Sequence, residues 1–72
     1  MKDVTRLCRF FGAEIFAARF RLRRGRGQPL VWRYAAVKRD GDVPLALRSG
    51  DFKWDSEAGA KEAARMGEVV RS

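Results

Sequence analysis

From Phe16 to Arg23 the chain alternates without a break, with Phe16, Ala18, Phe20 and Leu22 on one parity and Ala17, Arg19, Arg21 and Arg23 on the other. A repeat of two is the mark of a half-buried β-strand, because successive side chains leave a strand on opposite faces. This segment commits the chain to a sheet and gives that strand one apolar and one basic side.

The neighbouring segments supply the rest of such a sheet. Leu30 to Arg39 is rich in Val, Trp and Tyr and reads as a second strand. Between the two lies Arg24-Gly25-Arg26-Gly27-Gln28, a glycine-rich connection long enough for a loose hairpin. Asp40-Gly41 signals a tight turn into a third, shorter strand around Leu45–Arg48, which Pro44 confines to an edge. Ser49-Gly50-Asp51 turns the chain again, and Phe52 and Trp54 close beneath the C-terminal segment.

That last segment reads as a helix. Asp55 is placed to cap one beginning near Ser56, Glu57 suits the positive end of its dipole, and Glu57 and Lys61 are spaced for an i,i+4 ion pair. Ala60, Ala63, Ala64, Gly67 and Val70 recur at helical spacing, while Lys61, Glu62, Arg65 and Glu68 turn outward. A stripe of such small residues must lie close against its support, so the bulk of the core has to come from the strands. The N-terminal quarter admits two readings. Val4, Leu7, Cys8, Phe11, Ile15, Ala18 and Leu22 fit one face of a long helix over residues 3–23, but Gly12 and the Phe16–Arg23 alternation favour a short helix or irregular lead followed by a strand. The predicted fold is α+β: a three-stranded antiparallel sheet with a C-terminal helix packed on one face, in the order βββα. The 72 residues make a single small domain, with the lead over 1–12, the sheet over 13–54 and the helix over 55–71. A chain of this length buries only ~60% of its unfolded surface, so its core is thin.

Charge is distributed unevenly along this frame. Arg19, Arg21, Arg23, Arg24, Arg26, Arg33, Lys38 and Arg39 fall in a stretch with no acidic residue, whereas residues 1–18 and 40–72 come close to balance, within a formal net charge of +7. A GC-rich coding bias accounts for much arginine but not for its clustering. If Phe16, Phe20 and Leu22 face the helix, Arg19, Arg21 and Arg23 share the other face. An alanine-lined helix needs large partners, which selects Leu30, Trp32, Tyr34 and Ala36 for the core. Arg33 and Arg39 then join the same open face, with Arg24, Arg26 and Lys38 at its rim. An ordinary solvated sheet face carries both signs of charge. One lacking carboxylates favours a polyanion, and the expectation is a small basic nucleic-acid-binding protein, contacting DNA rather than RNA and duplex DNA above all. The alternative is a protein–protein interaction module of phage or plasmid origin, with Trp32, Tyr34 and Trp54 as interface anchors.

Other classes of function find little support. The chain has no histidine, so triads and most zinc sites lack their commonest member. Cys8 is the only cysteine, sits among Leu7, Phe10 and Phe11, and reads as a small buried hydrophobe that suits the reducing cytosol. Asp40, Asp42, Asp51 and Asp55 stand where turns and a cap already use aspartate. Gly25-Arg26-Gly27 lacks the lysine and spacing of a phosphate loop. No catalytic residue, metal site, cofactor or small-molecule substrate is expected. No apolar run reaches the ~18 residues of a membrane span, and Asp3, Arg6, Arg9 and Glu14 interrupt any signal-peptide core. A cytoplasmic location with no membrane partner is the expectation.

Trp32-Arg33-Tyr34-Ala35-Ala36-Val37-Lys38, with Gly50-Asp51-Phe52 leading to Glu57-Ala58 and Ala63-Ala64, resembles in outline the arm-binding domain of phage tyrosine integrases and the related plant Apetala-type DNA-binding domain. The resemblance covers residues 16–70 and departs at Trp54, where the family usually has threonine. It implies a βββα fold whose exposed sheet face lies in a DNA groove, with Arg19, Arg21 and Arg33 directed at the DNA. Short proteins of proteobacterial mobile elements are similar in outline too.

Overall fold

The computed structural model describes residues 2–21, 30–39 and 41–71. Its strands are β1 (Lys2–Phe10), β2 (Ala13–Arg21), β3 (Leu30–Lys38) and β4 (Val70–Arg71), with the helix α1 (Glu57–Met66) between the last two. They form one mixed sheet in the order β1-β2-β3-β4, antiparallel at the first two joints and parallel between β3 and β4. The α+β class is the expected one, but the sheet is four-stranded and mixed rather than three-stranded and antiparallel.

The lead expected over 1–12 is a strand instead. Phe11 and Gly12 have φ of 51° and 77°. Two positive values between Phe10 and Ala13, which face each other across the ladder, are the mark of a type I′ hairpin turn. β1 lacks a clean alternation because its register slips twice, between Lys2 and Thr5 and between Arg6 and Cys8. Each slip resets which face the next side chain takes, so the apolar spacing imitates a helix. Such irregularities also blunt an edge strand against pairing with other chains.

No strand forms around Leu45–Arg48. The edge of β3 that it would have joined is occupied elsewhere: Tyr34 exchanges backbone hydrogen bonds with Trp54 at 2.8 and 3.2 Å, and Val37 and Lys38 pair with β4. The segment crosses a sheet face and packs Leu45 and Leu47 against it. The helix is shorter than expected over 55–71. Its cap is Ser56 rather than Asp55, with the Gly59 N–H donating to Ser56 Oγ at 3.1 Å. It stops at Gly67, whose φ of 81° suits glycine, and the Glu68 N–H donates back to the Ala63 carbonyl at 2.8 Å.

Each face of the sheet is covered over part of its length. On one, Ala60 and Ala64 of α1 pack on Ala13, Ile15 and Ala36, with Cys8, Phe10, Tyr34, Trp54 and Val69 around them. On the other, Phe16, Ala18, Ala35 and Val37 lie beneath Phe52, with Phe20, Leu45, Leu47 and Val70 at the margin. The small stripe of α1 therefore finds its bulk in Ile15, Phe10, Tyr34 and Trp54.

Candidate nucleic-acid interface

The register of β2 against β3 decides where each arginine points. Phe16 stands opposite Ala35, Ala17 opposite Tyr34, Ala18 opposite Arg33, Arg19 opposite Trp32 and Arg21 opposite Leu30. Directly opposed residues share a face. Phe16 and Phe20 therefore lie on the face away from α1, together with Arg33 and Arg39. Arg19 and Arg21 lie on the face of α1, in line with Trp32 and Tyr34. The single open arginine face expected from the sequence does not exist, because the phenylalanines and the Trp/Tyr pair belong to opposite sides of the sheet.

The arginines also differ in what they hold. Arg39 grips Glu14 with two hydrogen bonds, Nε to Oε1 at 2.7 Å and Nη2 to Oε2 at 2.9 Å, and Arg6 adds a third to Oε2 at 3.2 Å. Glu14 is only 4% exposed. The bonds from Arg39 outweigh the cost of burial and hold the carboxyl at a pKa of about 2, with Arg6 contributing less. The cleft here, of about 360 Å³, is lined by Arg9, Gly12, Glu14, Arg39, Gly41 and Asp42. A carboxylate so occupied by guanidiniums is poorly placed to accept a proton from a substrate. Arg33 donates to the Phe52 carbonyl at 3.4 Å and the Lys53 carbonyl at 3.2 Å, fastening the covering segment to the sheet. Both residues of the expected site that face away from α1 therefore bond to other parts of the chain.

At the end of β2 the surroundings change. Arg19 donates to Asp3 through Nε at 2.6 Å and again through Nη2, and its guanidinium carbon stands 5.7 Å from the centre of the Trp32 ring. Arg21 is exposed and meets no carboxylate among the described residues. Trp32 is 44% exposed and Leu30 is exposed beside it, because α1 covers only the Ala13–Ala36 end of this face. Trp32 has the parity expected of a core residue, yet it lies beyond the reach of the helix. The chain joining Arg21 to Leu30 carries Arg23, Arg24 and Arg26, which lie outside the described residues.

Lys38 is exposed at the far end of β3, six residues from Trp32. At ~3.3 Å per residue that is roughly 20 Å, more than two Debye lengths at physiological salt. Lys38 and Arg39 therefore add little to the field at Arg19 and Arg21. The stretch that is continuous in sequence divides in space into two ends.

Sequence reasoning missed both counter-ions: Asp3 reaches Arg19 only beyond the two register slips of β1, and Glu14 meets Arg39 across the β2–β3 pair, whose register no short turn specifies. It also placed Trp32 inside. Among the described residues, no helix is long and apolar enough to cross a membrane and no cluster of His, Cys, Asp and Glu could hold a metal ion. Comparison with protein-family models, curated proteins and solved structures finds no match for this chain.

Proposed function

We propose that this protein binds nucleic acid through the end of the β2–β3 pair rather than through a sheet face. The observation that carries the reading is Arg21, exposed and without a carboxylate partner among the described residues, next to Arg19 and an exposed indole. The chain leading on from Arg21 contributes three more arginines and no acidic residue before Leu30. Guanidiniums suit phosphate oxygens. The reading does not use the broad sheet face that the integrase resemblance implies, because α1 lies over the Ala13–Ala36 end of one side and Leu45, Leu47 and Phe52 pack on the other.

A protein-binding role is favoured by one observation, the exposed Val4, Leu7 and Phe11 of β1 and its turn. Salt separates the two readings. About four phosphate contacts give a log–log slope of affinity against salt of about −3 to −4. An apolar contact through β1 barely responds. Arg21→Ala should make that slope shallower by about one, whereas Arg39→Ala should leave it unchanged. A slope near zero, or equal effects of the two substitutions, would refute the proposal.

A further inference from the structure

We infer that Trp32 is a stacking platform for an unpaired base, so that the ligand of the basic end is single-stranded nucleic acid. The inference rests on the nucleic-acid reading above and narrows it. Arg21, Leu30 and Trp32 are exposed on the far part of the α1 face, with the half-buried Arg19 among them held by the exposed Asp3 at the β1 edge. Arg19 stands directly across the ladder from Trp32 and Arg21 directly across from Leu30. The indole is thus flanked by cations along one strand and by an apolar neighbour on its own.

The fold contains a contrast that gives this arrangement meaning. Trp54 pairs with Tyr34 and is packed against the helix cluster, whereas Trp32, two residues from Tyr34 on the same face, is left open. Alanines elsewhere in the same sheet are completely buried, so the largest apolar side chain available is not used where the core is thin. A protein partner covering Trp32 would also have to neutralise Arg21, since Arg19 already has Asp3. A polynucleotide answers both needs with one ligand: a phosphate meets Arg21 and a base meets the indole. The bases of a duplex are already stacked on each other and offer a side chain only their edges. A platform of this type therefore selects unpaired strands. Stacking does not involve the sugar, so deoxyribose and ribose strands bind alike.

The test uses fluorescence anisotropy at low salt with labelled oligothymidylate, oligouridylate and a mixed-sequence duplex, each about twelve nucleotides long, within the ~4–16 that single-strand sites span. The two single strands should bind within about threefold of each other and about tenfold or more tighter than the duplex. Trp32→Ala should weaken single-strand binding about 5- to 100-fold and leave the duplex almost unaffected, while Trp32→Phe retains most of the affinity. In the unsubstituted protein, the indole N–H resonance of Trp32 should shift on adding oligothymidylate while that of Trp54 stays in place. That measurement holds even if a variant folds poorly. Tight binding that ignores Trp32, or a preference for duplex, overturns the stacking role and leaves the nucleic-acid reading intact. Binding of none of the three removes both.

Discussion

Replacing Glu14 by glutamine removes a charge that two arginines share and leaves the side-chain volume almost unchanged. The carboxyl is held at a pKa of about 2 against an ordinary 4.5, first by the Arg39 hydrogen bonds. A difference of that size corresponds to about 3 kcal/mol of folding free energy. The Arg6 side chain is 58% exposed and that of Arg39 30%, so solvent screening reduces the figure to roughly 2 kcal/mol. A domain of this length has a total stability of only ~4–10 kcal/mol, so the loss is easily measured. Because the folded pKa lies below the unfolded one, the contribution is fully present above about pH 4.5 and disappears as pH falls towards 2. Urea unfolding of the wild type and Glu14→Gln, followed by far-ultraviolet circular dichroism from neutral pH down to about pH 2, reads this directly. The wild type should be more stable at neutral pH by roughly 2 kcal/mol, and the gap should close across the acid range. A gap that is absent at neutral pH, or constant at every pH, would refute the assignment of Glu14 as a buried counter-ion.

Two further substitutions probe the fold. Arg33→Met keeps the apolar stem but leaves the Phe52 and Lys53 carbonyls without their donor. Thermal or chemical unfolding should show a loss of about 1–2 kcal/mol, with nucleic-acid affinity unchanged. Phe11 holds a φ of 51° while 67% exposed, so Phe11→Asn should raise stability by about 1 kcal/mol, and a loss would show that its edge-on contact with Phe10 outweighs the backbone strain.

Strong local signals were legible in the sequence. The Phe16–Arg23 alternation marks β2, the Val/Trp/Tyr run marks β3, and the Ala60, Ala63 and Ala64 stripe is the buried side of α1. Glu57 and Lys61 close their ion pair at 2.9 Å. What escaped was set by pairing between distant segments. The eight residues from Leu22 to Pro29 do not impose a register, and a shift of one position exchanges the faces of a whole strand. Choosing both the phenylalanines of β2 and the Trp/Tyr set of β3 for one core assumed a sheet with a single covered face. The covering of the second face by Leu45, Leu47 and Phe52 has no periodic signature, because that segment is irregular apart from one 3-10 turn at Ser49–Asp51. β1 was hidden by its two register slips and by a turn that uses phenylalanine where asparagine is usual.

The proposed division of the basic stretch into a binding end and an end bonded within the fold is tested most directly by backbone and arginine side-chain NMR during titration with a short oligonucleotide at low salt. Shifts should concentrate at Arg19, Arg21, Leu30 and Trp32, with Arg33, Arg39 and Glu14 silent. Shifts at the Glu14 cluster, along β1, or nowhere would contradict it.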